Sequence, residues 1–447
     1  MSLLKKCAMF TALNSFALIA AFPQTTPPPP SVSPSPAPVA ADQTSPAAAP
    51  APATPAAPAA PAAAPTWSIG PLDISGTIDG YFTYNSNHPN APNAFNGLYN
   101  FNDKADSFDL SMAKLTFNHD PDPVGAHLDI GFGRTFHDLH FGDPADDTAE
   151  KYIEQAFVSF KPAKAKGLEA DFGQFVTSAG AEVIEAKDNW NYSRSLLFTN
   201  AIPYYHFGLR TTMPLSKTFT AGFQLVNGWN NIEDNNSGKT MGFTGALVKP
   251  KYSLFGNYYT GPENASTNVG WRNLFDTTIL LTPPGKLNAY INYDYGQNRN
   301  AAISGGITGG AIPGGFRPGA LRFGSLSGFN PALFTLAPRF KASDVTYSAT
   351  DLTRWQGIAM ALHYQATGKV AFSPRGEYYT TNTGPSELSV GEITLTGEYK
   401  MVEGALFRVE YRGDFADGPV FFKGTTGFSK QQNTLTFAFI GFYGPKR

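Results

Sequence analysis

From Leu72 onward the chain repeats one pattern: apolar and polar residues alternate over short segments, and turn residues separate the segments. An extended strand points successive side chains to opposite faces, so such alternation specifies strands with one apolar and one polar face. The stretch GALFRVEYRGDF, 404–415, is the cleanest case. Ala405, Phe407, Val409 and Tyr411 share one face, while Leu406, Arg408, Glu410, Arg412 and Asp414 share the other. Comparable segments lie at 72–84, 108–118, 125–136, 151–160, 168–176, 204–213, 218–228, 239–248, 251–260, 271–281, 286–296, 354–366, 369–380, 389–400, 404–414 and 432–443. Of these, 108–118 and 251–260 alternate least well. The set amounts to about 16 strands of about 10 residues, the length a tilted strand needs to cross a bilayer.

The connections restrict the topology further. Short turns (DPDPV, PLSK, KP, TPPG, TG and MVE) join strands 2–3, 6–7, 8–9, 10–11, 12–13 and 14–15. The intervening connections are longer: 85–107, 137–150, 177–203, 229–238, 261–270, 297–353, 381–388 and 415–431. Alternating short and long connections are the build of a transmembrane barrel, with short periplasmic turns and long outer loops. A soluble sandwich has no reason to gather its long loops at one end. The expected fold is therefore all-β: a transmembrane antiparallel up-and-down barrel of about 16 strands over 67–447.

Composition agrees. Charged residues make up 15% of the chain and aromatics 14%, against the roughly 25% charged usual for soluble domains. Mean hydropathy is nevertheless −0.21. Beyond residue 22 no apolar run reaches the ~18 residues of a spanning helix. On the apolar faces, Tyr84, Tyr258, Tyr293, Tyr295, Tyr378 and Tyr411 fall at the outer strand ends, and Phe117, Phe160, Tyr252, Tyr399 and Tyr443 at the inner ends. Two aromatic rows are what the two bilayer interfaces select. The near-zero net charge, −2, gives no electrostatic footprint for nucleic acid.

The N-terminus carries Lys5 and Lys6 and then an apolar run, Cys7 to Phe22, which reads as a secretory signal peptide over 1–22. With the barrel pattern it addresses the chain to the outer membrane of a Gram-negative-type bacterium. Residues 23–66 are Pro/Ala-rich and nearly uncharged, a periplasmic spacer that could contact the cell wall. Cys7 is the sole cysteine, so the mature chain has neither a disulfide nor a thiolate metal site.

Reactive constellations are few. HDLH, 137–140, spaces two imidazoles as a metal site can, but lacks an evident third ligand. Ser193 and Ser195 stand in no nucleophile elbow. SGGITGGAIPGG, 304–315, lacks the Lys-Ser/Thr of a phosphate loop. Neither an enzyme nor a cofactor is expected.

Three stretches go beyond pattern. FGQFVTSAGAEVIEAKDNWNYSRSLLF from Phe172, then IPYYHFGLR and NGWNNIEDNNSGKT, resemble the OmpL-like family of outer-membrane β-barrel porins. VGAHLDIGFG and YYTGP are similar too, and the resemblance runs from about Tyr81 to the C-terminus. It implies a porin-type barrel and passive transport, with no catalytic set. The spacer, the Gly-rich stretch 297–353 and the ending FAFIGFYGPKR, with Phe442 and Tyr443 inside the terminus, depart from the family.

A barrel of about 16 strands leaves an aqueous channel. Inward charges such as Asp129, Arg210, Arg375, Glu377, Arg408, Glu410 and Arg412 would be costly to bury dry and are at home there. A loop as long as 177–203 is usually functional. The expectation is that it folds inward as the constriction, its SLLF segment against the wall. Glu182 and Glu185 would then face Arg375, Arg408 and Arg412 across a narrow aqueous gap. The leading reading is a porin for small hydrophilic solutes with a weak cation preference, surrounded by outer-membrane lipid; a homotrimer is compatible with it. The alternative is a structural or anchoring barrel with an occluded lumen, plugged by 297–353.

Overall fold

The computed structural model describes residues 68–90, 94–140, 148–304, 346–383 and 386–444. The expected leader and spacer, 1–66, and the centre of the 297–353 insertion lie outside these residues.

Among the described residues sixteen long strands form the barrel: β1 (Leu72–Asn85), β2 (Ser107–His119), β3 (Val124–Phe132), β4 (Ile153–Phe160), β5 (Glu169–Val176), β6 (Tyr205–Pro214), β7 (Phe219–Val226) and β8 (Thr240–Lys249). They continue as β9 (Tyr252–Pro262), β10 (Trp271–Leu281), β11 (Leu287–Ser304), β12 (Thr346–Gln365), β13 (Val370–Thr383), β14 (Ser386–Val402), β15 (Ala405–Ala416) and β16 (Gln431–Tyr443). Each pairs antiparallel with its neighbours in the chain. β16 pairs back onto β1, with Leu435 opposite Tyr84 and Phe439 opposite Gly80, so the sheet closes into a barrel. Closure satisfies every strand edge, the condition for β-structure in lipid.

The two faces follow the alternation. In β15, Arg408, Glu410, Arg412 and Asp414 are buried inside, whereas Val409 is half-buried and Tyr411 exposed outside. Outward aromatics form two rows: Tyr84, Tyr258, Trp271, Tyr295 and Tyr411 near the outer ends, and Phe160, Tyr252, Phe372, Tyr399 and Tyr443 near the inner ends.

Strand boundaries differ from the sequence expectation in three places. The third strand stops at Phe132, and Arg134–Leu139 form a short helix, α1. Gly133 makes this turn with φ 118°, where a Cβ would sit 2.7 Å from the Ser111 carbonyl oxygen. β11 and β12 extend into the expected 297–353 insertion as far as the pair Ser304–Thr346. β13 and β14 pair up to Thr383–Ser386, which leaves almost nothing of the 381–388 loop. These extensions exceed the ~9–11 residues that a membrane crossing uses, so their outer ends are free of the apolar alternation that marks a strand in sequence. Within 417–430, Phe421–Lys423 and Gly427–Ser429 form a small hairpin.

Inside the barrel lies an apolar cluster. Leu98, Phe101, Phe136, Leu139, Leu196, Leu197, Phe198, Ile202, Trp229 and Phe421 come from five outer loops and pack with inward Tyr259, Leu274, Trp355 and Tyr379. The outer loops thus share a core with the lumen wall.

Candidate pore and its inward loop

The third outer loop, 177–204, enters the barrel, and residues 191–202 are buried throughout. What draws it in is the charged inner wall of β13 to β15. Carboxylates on this wall accept the loop's backbone N–H groups. Glu410 takes those of Tyr192 (2.5 Å) and Ser193 (2.9 Å), and Glu377 takes those of Leu196 (3.0 Å) and Leu197 (3.2 Å). Guanidinium groups on the same wall donate to the loop's carbonyls. Arg408 reaches Ala186 (2.5 Å) and Asn189 (2.7 Å), Arg375 reaches Ser193 (2.7 Å) and Arg412 reaches Arg194 (2.7 Å). Charge-assisted bonds of this kind are roughly twice as strong as neutral ones. They meet the backbone of a segment that, apart from a 3-10 turn at Ala186–Asp188 and one short helix, has no ladder of its own.

That helix, α2 (Leu196–Asn200), begins at Ser195, whose hydroxyl accepts from the Phe198 N–H at 3.0 Å. The Glu377 carboxylate sits at its first N–H groups, where unpaired donors favour an anion. Leu197 then packs on bare wall: a Cβ at Gly357 would lie 2.6 Å from its Cδ1.

Glu182 meets the basic wall as expected but without a gap, and Glu185 goes elsewhere. Glu182 bonds directly to Arg375 at 2.7 Å and accepts the Ser195 N–H at 2.7 Å, with no aqueous gap between. Arg375 also pairs with Glu377 (3.1 Å) and Glu392 (2.6 Å) and is fully buried. Glu185 does not face this basic wall. It meets Lys114 on β2, and that ammonium also lies 3.5 Å from Asp129 and 3.2 Å from Glu154. Arg375 serves both the Ser193 carbonyl and Glu182, whereas Glu185 takes the Lys114 ammonium on the other side of the loop. Burial opposes ionisation of Glu185, but the Lys114 ammonium overrides it and holds the carboxyl below the ordinary glutamate range.

The carboxylate oxygens of Asp129, Glu154 and Glu185 lie within 4.8 Å of one another, a spacing a metal could use. Lys114 stands among them, so the cation at this cluster is an ammonium. In HDLH, the His137 ring pairs with Asp138 at 3.1 Å while His140 is buried 5.1 Å from the Tyr205 ring. Arg210, on β6, pairs with Asp171 at 2.8 Å and stacks 4.5 Å from the Phe175 ring centre.

The loop touches other parts of the wall as well. Tyr192 donates its hydroxyl to Asp79 on β1 at 2.9 Å, and the Gly180 N–H bonds to Asp276 on β10 at 3.0 Å. Its water-facing residues are Ser178, Val183 and Asp188, and the Asp188 side chain is 53% exposed. Asp188 and Trp190, the latter against Tyr290, border a cavity of about 320 Å³ that Phe255, Thr278 and Leu280 also line. Sequence reasoning missed Lys114, Glu154, Asp188, Trp190 and Phe255. The first was concealed by a bulge: Asp79 pairs with Met112 and Gly80 with Leu110, which skips Ser111 and breaks the alternation of β2.

Three solved structures share the architecture, each with a TM-score of 0.50 and 83% of this chain covered. OmpT of Vibrio cholerae is 11% identical and covered over 97% of its own length. The outer-membrane channel DcaP of Acinetobacter baumannii is 13% identical and covered over 97%. An anion-selective porin from Comamonas acidovorans is 9% identical and covered over 99%. At such identities the likeness is one of fold. Comparison with curated protein sequences gives no match. The family model "Putative beta-barrel porin-2, OmpL-like" matches residues 71–442, the whole barrel. By that match the chain belongs to the OmpL-like family of β-barrel porins.

Proposed function

We propose that this barrel is a non-enzymatic porin of the bacterial outer membrane, passing small hydrophilic solutes by passive diffusion beside its inward loop. The observation that carries this reading is the uneven docking of 177–204, dense against β13 to β15 and sparser elsewhere. The loop spends its hydrogen bonds chiefly on β13 to β15, and a cavity of about 320 Å³ persists between it and β9 to β11. In this reading the loop is the constriction. Glu182, Glu185, Arg375, Glu377, Arg408, Glu410 and Arg412 set its position, while Asp188 is the acid that solutes meet. Asp129, by holding Lys114, and Arg210, on the partly exposed wall, complete the charged lining. Inward acidic side chains outnumber basic ones, which supports cation preference. Bilayer recordings across a salt gradient test this: stepwise conductance with a cation-selective reversal potential is expected.

The occluded, structural reading has an observation of its own, the apolar core that the outer loops build inside the barrel. Folded, inserted protein that never conducts would decide for it and against the porin.

A further inference from the structure

The cavity beside the loop has a composition that a plain aqueous pore does not require. The neighbouring inward positions on β9 and β10 are polar: Ser253, Asn257, Asp276 and Thr278 are all buried inside. Between them Phe255 and Leu280 point inward to the cavity, and Phe255 is not part of the apolar cluster that the outer loops build. Opposite stands Trp190, held by stacking 5.4 Å from the His363 ring and 5.2 Å from the Tyr290 ring. An aromatic side chain facing a water-filled lumen forgoes burial, and a solute with an apolar face would restore it.

The polar groups of the cavity narrow the solute class. Glu182 is matched by Arg375 at 2.7 Å and Asp188 by Lys187 at 2.5 Å, so the site carries no uncompensated charge. The Thr278 hydroxyl is buried without a hydrogen-bond partner, and Asp188 presents an exposed carboxylate. A buried polar atom left unpaired costs stability unless something meets it. The volume, about 320 Å³, falls at the lower end of small-molecule pockets.

We infer that this cavity is a saccharide subsite within the channel, an inference that rests on the porin reading. The C–H face of a pyranose ring lies against Phe255 and Trp190, and its rim of hydroxyls meets Thr278 and Asp188. A neutral aromatic solute would use the apolar walls but leave the Thr278 hydroxyl unanswered.

The test is calorimetric titration of the detergent-solubilised full chain with maltose, and with sorbitol, a polyol that has no ring face. Saturable maltose binding is expected, with none for sorbitol. Phe255→Ala, on the wall and outside the loop's packing, weakens it about tenfold, the scale of one lost aromatic contact. Trp190→Phe keeps a ring against His363 and Tyr290 and weakens it less. Absence of saturable maltose heat, equal binding of sorbitol, or unchanged affinity in Phe255→Ala overturns the subsite. Conductance in plain salt is read separately: a channel that conducts without binding maltose defeats the subsite alone, and a barrel that binds without conducting defeats the porin reading alone.

Discussion

Arg408 and Val409 are adjacent and meet opposite surroundings. Val409 faces outward beside Phe437, its partner across the strand pair, whereas Arg408 holds two loop carbonyls and Glu398. Val409→Arg sets a charge against lipid near mid-bilayer, at a cost of roughly 2–4 kcal/mol, and should block assembly. Arg408→Gln should assemble and instead release part of the loop. Equal yields of folded barrel on unboiled gels for the two variants would reverse the assignment of faces. The same reasoning ranks the acids of the loop. Glu182 is buried and paired, so Glu182→Gln should disturb loop position more than selectivity. Asp188, more than half exposed, should govern what ions experience. Asp188→Asn is therefore expected to move the reversal potential toward anions further than Glu182→Gln does, and the opposite order would place Glu182 in contact with the permeating ion.

At the scale of elements, the strands were legible because lipid and water select opposite residues on their two faces. Where that contrast lapses, the reading blurs. The bulge at Ser111 breaks the period of β2, and inward Phe255 and Tyr259 interrupt the polar face of 251–260. The short helix α1 follows a turn that only the backbone at Gly133 reveals. Loop docking was legible in part: its length and the apolar SLLF run point inward, but the docking bonds use N–H and C=O groups that any sequence possesses. No residue pattern could announce that Glu377 and Glu410 would bind backbone rather than line water. The Lys114 contact gives this element a test. Lys114→Met leaves Asp129, Glu154 and Glu185 crowded without their cation, and removing one partner of a buried ion pair typically costs about 3–5 kcal/mol. The edge of the loop that carries Glu185 should lift, and single-channel conductance should rise. Conductance at the wild-type value would mean that the bonds to β13 and β15 fix the loop by themselves.

For the whole molecule, closure and filling act together. A closed sheet has no edge strand from which unpairing can begin, so the barrel should open only when many strand pairs yield at once. The loops add an apolar core within the lumen, which ties outer-loop residues such as Leu98, Phe136 and Phe421 to the wall. Full-length protein should accordingly migrate faster on unboiled than on boiled gels, and its barrel should resist protease that trims residues 23–66. The Pro/Ala segment has too little hydrophobic content to pack, so it should contribute nothing to either property. Deleting residues 27–64 is expected to leave gel mobility shift, protease resistance and conductance as they were. If the deletion changed conductance while the mobility shift persisted, the segment would have to enter or cover the pore, because assembly itself would be intact. If it abolished the shift, the segment would serve in assembly, and its separation from the barrel as a passive spacer would be wrong.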